Sequence, residues 1–521
     1  MLGSMEKMAD PAVVAEVKKG YHRQSLHRDA ALEIATARWV RGGESVLHGH
    51  GVGSATYCVL SGTVEEERYI PDGDRYRYER VVLEAGARNY LPPGTFHKVK
   101  ALTEAVTMHY YSPAPEHSTE EVPVTTLRLL AEAKSRAEAS PTPSRQVVRP
   151  NVVEVAEALA VAWGEREEQA NRDGALSMPA HTLAEMRQSG ILAAPLSVEY
   201  GGWGASLAEV AQAVRLVARH APSSALALVM PLGNAATCRI PDHAVPTRHH
   251  AALAAGKAWI ADRVRRGKIL AVANSEPGTG GDLANTKTLA LPGPDGGYRL
   301  TGRKSFATFG RDADYFLCAA RRAEPSGKDV IDGFFVARNA AGLAIDDKWD
   351  PLGMRPTASV GLLLDGAVAD AVLGYPGCLE GVNARHWSTV LFGAVFLGVG
   401  EGALREGVKQ ASPGGVWSKG ALAEKALALD AGAGYLEAVA AREEWPMSRE
   451  GRDRTQRCKT FLARTAVEVA TVAAMVSGGR CYTASHPVMG FLADALAGPL
   501  LRPPLPQAMD AIVSQVFAPT V

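Results

Sequence analysis

Two histidines stand two residues apart in VLHGHGVGSATYCVLSG, and a third follows a turn in YLPPGTFHKVK. On a strand, side chains two apart leave the same face, so His48 and His50 can share one centre. Together with His97 they supply three neutral imidazoles. Such a facial set leaves coordination positions open for substrate and oxygen, and it suits ferrous iron better than a closed structural site. A second constellation lies in AVANSEPGTGGDL, where Ser275, Glu276 and Pro277 follow a strand-like run. Its glycines Gly278, Gly280 and Gly281 permit close backbone approach to a ligand, with Asp282 at a helix-like turn. YRLTGRKSFATFGRDADYF and KWDPLGMRPTAS follow at comparable spacing.

These residues need elements to hold them. Residues 1 to about 30 read as a helical lead-in. From Ala30 to about Ser112, short β-rich runs separated by Gly, Pro and Asp turns predict a small antiparallel barrel. TLRLLAEAKSRAEA is helix-prone, and SPTPSRQVVRP after it is the best linker candidate. Beyond Asn151, helical spacing runs to about Ile269. Gly- and Pro-punctuated strands follow to about Gly374, and Ala-rich helical periodicity returns after Asn383. The expected chain is multidomain α+β, divided as 1–118, a linker over 119–150, then 151–269, 270–376 and 377–521.

The front stretch, roughly residues 15–116, resembles the cysteine dioxygenase family of cupins. The family's HxH motif and Gly-ended strand match His48, His50 and Gly62; its PG-x-x-H element matches Pro93, Gly94 and His97. Its Y-x-R matches Tyr21 and Arg23, and its S-x-H-x-Y-S-P segment is similar to TMHYYSP, with Thr107, His109 and Tyr111. The resemblance implies an N-terminal cupin β-barrel in which His48, His50 and His97 bind Fe(II). Arg23 then anchors a substrate carboxylate through its planar fork, and Tyr111, oriented through His109, hydrogen-bonds dioxygen or thiolate. Ala55 stands where some members carry a cysteine crosslinked to the tyrosine, so no crosslinked cofactor is expected.

Residues 150–516 resemble the acyl-CoA dehydrogenase superfamily. TEP-x-x-GSD, TG-x-K-x-W-I-T-N and LGMRGT match SEPGTGGD, TGRKSFATF and LGMRPT, joined by LSVEYGGWGAS. The resemblance implies a helical domain, a β-barrel domain and a C-terminal helical bundle, carrying FAD or FMN and forming a homodimer or homotetramer. It places Ser275, Gly280 and Asp282 on one side of the flavin and Phe306, Ala307 and Thr308 on the other. Gly478 and Gly479 of SGGRCYTASHP fall in the adenine-contacting loop. Two departures bear on activity. The glutamate serving many members as α-proton base falls on Arg502, and a guanidinium cannot abstract a proton. SPGGVWSK replaces the pyrophosphate-contacting RxxFG element.

The bulk composition fits small-molecule enzymes. With 56 basic and 56 acidic residues, the 521-residue chain has no net charge to draw it to nucleic acid or an anionic membrane. Six scattered cysteines suggest neither a disulfide framework nor structural zinc, and a cytoplasmic setting is expected. No signal peptide or membrane span is read.

The leading expectation is sequential sulfur chemistry. The front site converts a small thiol carboxylate and dioxygen to a sulfinate, and the flavin site oxidises it further or cleaves its carbon–sulfur bond, with joined sites raising the local concentration of the intermediate. Alternatively, the flavin site is the principal catalyst, a monooxygenase or dehydrogenase on a non-sulfur substrate served by a flavin reductase. The front unit is then a separate oxygenase or a metal-binding regulatory module.

Overall fold

The computed structural model describes residues 20–28, 33–49, 54–72, 75–91, 94–112, 122, 124–138, 146–147, 150–280, 282–294, 296–323, 329–381, 386–411, 415–443, 448–483 and 485–517. The chain divides into two compact units, Met1–Asn151 and Val152–Val521.

In the first unit, β1 (Tyr21–Arg28), β2 (Glu33–Trp39), β3 (His48–Gly49), β4 (Ser54–Ser61) and β5 (Thr63–Asp72) are followed by β6 (Arg75–Glu84), β7 (Arg88–Leu91), β8 (Phe96–Ala101), β9 (Ala105–Ser112), helix α1 (Val124–Glu138) and β10 (Gln146–Val147). Two five-stranded sheets result, ordered β1-β2-β9-β4-β7 and β10-β6-β5-β8-β3, and no closed barrel is seen among the described pairings. Alternation explains the strands. In β8, His97, Val99 and Ala101 point inward while their neighbours face out. Ala37, Trp39, Tyr57 and Val59 of one sheet share a core with Val64, Val81, Leu83 and Val99 of the other. Tyr21–Arg28 corrects the helical reading of the lead-in: it is an edge strand paired along β2, with Tyr21 stacked on Trp39 at 4.4 Å. Gly62 is φ +79°, and a Cβ there would collide with the Glu104 carbonyl, which accounts for the glycine ending β4.

The second unit opens with α2 (Val152–Arg172), α3 (Ala180–Gln188), α4 (Leu207–Ala218), α5 (Pro222–Ala236) and α6 (His250–Arg265). A capping box between Ser206 and Glu209 starts α4. The sheet follows: β11 (Leu270–Ala273), β12 (Leu289–Pro292), β13 (Tyr298–Ala307), β14 (Tyr315–Ala323), β15 (Asp329–Ala337), β16 (Leu343–Asp346), β17 (Val360–Val368) and β18 (Ala371–Val372). Its order is β16-β17-β13-β12-β14-β15-β18, with β11 parallel to β14.

The chain ends in α7 (Cys378–Gly381), α8 (His386–Gln410), α9 (Val416–Ala440), α10 (Arg449–Ser477), α11 (Pro487–Ala495) and α12 (Leu505–Val516). Gly393, Gly400 and Gly407 lie seven apart on α8, and Cβ atoms at Gly400 and Gly407 would stand 3.4 and 3.1 Å from Ala466 Cα and Ala473 Cα of α10. Small residues at that spacing let the two helices approach closely. Glu401 of α8 is gripped by Arg215 of α4 and by Arg219 just past its end, their Nε atoms donating at 2.9 and 3.0 Å. Helices α8 and α10 are long and apolar enough to cross a membrane by length and composition; in this fold they form the bundle core. The six cysteines form no disulfide.

Candidate functional site

Strand β11 delivers Asn274 and Ser275 to the edge of β13, where Ser305 N–H donates to Ser275 O at 2.8 Å. Glu276 then turns inward. Its carboxylate accepts from Lys287 N (2.7 Å), Thr288 Oγ1 (2.6 Å) and Lys304 Nζ (2.6 Å). Lys304 also donates to Ala319 O at 2.5 Å, and the two side chains are 0% and 4% exposed. Burial alone would raise the Glu276 carboxyl, yet hydrogen bonds from Lys304 and Thr288 hold it below the usual range. Burial lowers Lys304 against the pull of Glu276. The SEPG and TGRK motifs are therefore stapled by one buried ion pair.

The backbone around this staple is strained. Phe306 (φ 56°), Phe309 (φ 63°), Met354 (φ 53°) and Ala358 (φ 46°) all occupy the left-handed region without being glycine. Such outliers gather where a ligand dictates backbone shape. Phe306 is 66% exposed directly after the Ser275–Ser305 bridge, a flat apolar face offered beside the glycine turn. Ala307 is buried, and Thr308 Oγ1 bonds Ser359 Oγ at 2.9 Å, which in turn bonds Thr357.

Gly278 and Gly280 have φ of +73° and +63°, and the Gly280 carbonyl accepts from Gln507 of α12. Asp282 caps the short helix Leu283–Asn285 through Ala284 N at 3.0 Å, so part of its hydrogen-bonding capacity is structural. Gly281 lies outside the described residues. Gly478 and Gly479 follow α10 in a turn with open space where their side chains would stand, beside Tyr482, 87% exposed.

Arg502 reaches this cradle from the C-terminal bundle, donating from its guanidinium to Asn274 O at 3.1 Å. Its charge adds to the burial that lowers Lys304. A buried residue that the sequence did not single out fixes the loop. Lys459 Nζ of α10 donates to Leu501 O (2.7 Å), Gly498 O (3.2 Å) and Pro503 O (3.4 Å). Burial pulls this lysine down to about 8.

Asp494 ties the bundle to the strained loop by accepting from Met354 N–H at 2.5 Å. It borders a cavity of about 430 Å³ that Glu167, Asn171, His220 and Arg405 also line. Burial, with the neighbouring Glu167 charge, pushes Asp494 up to about 7 from 3.8. The folded form thus holds its proton more tightly than the unfolded chain, and stability from this group declines as pH rises from about 4 to about 7. Asp494→Asn keeps the acceptor and removes the charge. It is expected to exceed the parent at pH 8 by up to about 4 kcal/mol, at about 1.4 kcal/mol per pKa unit, and to match it near pH 4, as urea denaturation at the two pH values will read.

In the first unit, register sets His48 opposite His97, with ring centroids 4.5 Å apart. His48 Nδ1 bonds Val46 O at 2.9 Å and His97 Nδ1 bonds Glu66 Oε1 at 2.5 Å. Acceptors at both Nδ1 atoms fix the tautomer and leave each Nε2 lone pair pointing the other way, the arrangement of a metal-ligating histidine. Glu66 is fully buried and also accepts from Asn89, which accepts from Arg68 at 2.6 Å. His109 takes a hydrogen bond at Nε2 from Thr107 at 2.8 Å, while Thr107 accepts from Trp39 at 2.9 Å. Burial, then the charges of His97, Arg23 and His48, drop His109 to about 3, so it stays neutral at physiological pH.

Two expectations need revision here. Arg23 does not await a substrate carboxylate unaccompanied: its guanidinium donates to buried Glu33 at 2.8 Å. Among the described residues no three of His, Cys, Asp and Glu form a complete metal-ligand group. His50 and Pro93 lie outside those residues, and so does the side chain of Tyr111, whose backbone in β9 pairs with Glu33 and Ala55. Sequence reasoning passed over Glu33, Glu66 and Lys459, although Glu276 and Lys304 lay within the motifs it quoted.

Residues 271–367 match the family described as acyl-CoA dehydrogenase, middle domain. The amino sugar nitrososynthase DnmZ of Streptomyces peucetius is 27% identical over 363 residues, covering 64% of this chain and 85% of that protein. FMN-bound TdsC of Paenibacillus sp. A11-2, a dibenzothiophene monooxygenase, superposes with a TM-score of 0.62 at 23% identity, over 70% of this chain and 97% of its own. Butyryl-CoA dehydrogenase of Megasphaera elsdenii gives 0.60 at 19% identity over 71% and 100%. Residues 271–367 thus match an acyl-CoA dehydrogenase middle domain, and the chain shares the fold of these solved structures.

Proposed function

We propose that the second unit is a flavin-dependent oxidoreductase of the monooxygenase kind, acting on an anionic substrate, and that it does not carry out carboxylate-assisted α,β-dehydrogenation. The observation that carries this reading is Arg502 bonded to the Asn274 carbonyl at the head of the glycine turn. A second cation, Lys304, lies near it. The site residues fit a flavin: the open glycine turn admits a close ligand, and exposed Phe306 supplies a flat face for its ring. Bound there as FMN or FAD, the flavin supplies the electrons for oxygen activation. Arg502 holds an oxyanion by charge-assisted hydrogen bonds, with Lys459 fixing its loop. Relatives that include a nitrososynthase and a dibenzothiophene monooxygenase support an oxygenase reading; dehydrogenases stand among the relatives too, so the choice over dehydrogenation rests on Arg502.

The test uses the full chain with a flavin reductase, NADH and oxygen, screened against small carboxylates, sulfinates and sulfonates. Arg502→Gln is expected to retain flavin by its visible spectrum while lowering kcat/KM for the accepted anion by about 10- to 100-fold. Anaerobic bleaching of the parent's flavin by an acyl-CoA would overturn the reading.

The paired histidines favour a second activity in the first unit, a cupin-type ferrous centre that adds dioxygen to a small thiol. The donors fit iron: two imidazoles in register, each held at Nδ1 by an acceptor, with the HxH motif offering His50 as third ligand. His109 and Thr107 orient groups on the neighbouring sheet face. The balance is R–SH + O2 → R–SO2H, both oxygen atoms ending on sulfur. The sulfinate formed is an anion of the class Arg502 recognises, which links the two sites. Metal analysis, oxygen uptake and sulfinate detection with a panel of thiols test this; metal binding without thiol-dependent oxygen uptake would leave a binding or regulatory module.

A further inference from the structure

We infer that the cavity of about 430 Å³ in the second unit, bordered by α2, α8 and α11, is a binding site for a small guanidinium cation. The site is separate from the flavin cradle and does not depend on the activity proposed there.

Three hydrogen-bond acceptors meet there. Glu167 and Asn171 stand one turn apart on α2 and share a face of that helix, and Asp494 joins them from α11. Glu167 accepts from Ser223 N at 2.7 Å and from Ser224 N and Oγ at 2.9 and 2.8 Å, while Asp494 accepts from Met354 N through Oδ1 alone. Among the described residues neither carboxylate has an ion-pair partner. The second oxygen of Asp494 and the buried Oδ1 of Asn171 accept no hydrogen bond there either. Glu167 is 2% exposed and Asp494 5%. Carboxylates so deeply placed are ordinarily paired with a cation. Burial pushes both carboxyls up, and the Glu167 charge adds to the rise at Asp494, so each negative charge disfavours the other until a positive one enters.

The cations that line the cavity are engaged elsewhere. Arg405 contacts His220 and Glu406, both at 3.1 Å, Lys409 donates to Glu406 at 2.9 Å, and Arg172 donates to Glu168 at 2.7 Å. The class of ligand follows from how the acceptors are spread. A metal ion draws three or more side chains onto one point, and among the described residues no three of His, Cys, Asp and Glu do so. Acceptors on two helices suit a cation whose donors are spread over a plane. A guanidinium offers five N–H groups in a fixed fork, enough to serve the Asp494 carboxylate, Glu167 and Asn171 Oδ1 together. Phe491, 8% exposed, and Pro222 add apolar wall for a planar cation or an alkyl stem. The volume lies within the roughly 300–1,000 Å³ of small-molecule clefts.

The experiment titrates the full chain at pH 8 with butylguanidinium, butylammonium and butyrate, read by isothermal calorimetry up to about 10 mM. The parent is expected to bind butylguanidinium with a Kd below about 1 mM, butylammonium at least about fivefold more weakly, and butyrate not at all. Asp494→Asn keeps the acceptor for Met354 and loses the charge, and is expected to weaken butylguanidinium at least about tenfold. Gly490 lines the cavity on α11 with open space where a Cβ would stand, so Gly490→Leu occupies the cavity without backbone strain and is expected to abolish binding. No binding by the parent, binding that either variant leaves unchanged, or butyrate bound as tightly overturns the site. Equal binding of butylammonium overturns guanidinium as its ligand class.

Discussion

Lys304→Met is expected to cost the second unit about 3–5 kcal/mol, the range for breaking one side of a buried ion pair. The loss comes from what remains. Glu276 keeps its bonds from Lys287 and Thr288 but loses the Lys304 ammonium, and Ala319 O loses the same donor. A methionine fills the volume, so cavity formation contributes little. For a unit of this size the melting transition should fall by roughly 6–20 °C, at about 2–4 °C per kcal/mol. Glu276→Gln combined with Lys304→Met should recover part of the loss, since a neutral amide no longer needs the ammonium. A drop below about 1 kcal/mol in the single variant would show that the pair does not staple the two motifs.

Glu66→Gln carries the second large effect, on metal binding. Glutamine retains an acceptor for His97 Nδ1–H but not the negative charge that raises the basicity of the ring. Loss of such a carboxylate partner weakens metal affinity by about 10- to 100-fold, measurable by cobalt(II) titration of the full chain. Glu79→Gln is the comparison. It lies at the far end of the chain of contacts, bonded to Arg68 at 2.7 Å, and should change affinity little. Equal affinities in the parent and the Glu66 variant would remove the grounds for reading His97 as a ligand.

What the sequence made visible were local spacings. SEPG, TGRK and LGMR could be recognised because each motif carries its own backbone requirement, and the fold sets a buried pair between the first two. His48 and His97 could be paired in advance only as members of a motif; their contact depends on a β3–β8 register that no local pattern encodes. The missed carboxylates have the same cause. Glu65, Glu66 and Glu67 look like one exposed acidic run, yet strand alternation turns only the middle one inward. Glu33 likewise becomes a site residue only once β1 lies beside β2. The segment Tyr21–Arg28 read as helix from its surroundings because edge-strand pairing is a tertiary decision that overrides local preference. Lys459 in RCKTFLAR has the look of a solvent-facing helix position. It is buried because three carbonyls from a distant loop end on its nitrogen.

That last arrangement separates a reactive position from its scaffold. The ammonium secures the peptide carbonyls on either side of residue 502 and makes no demand on the side chain between them, so the backbone there is held whichever residue it bears. Chemistry at this spot can be exchanged like a tool in a fixed holder: a carboxylate gives one class of reaction, a guanidinium another, and the surrounding helices need not be redesigned.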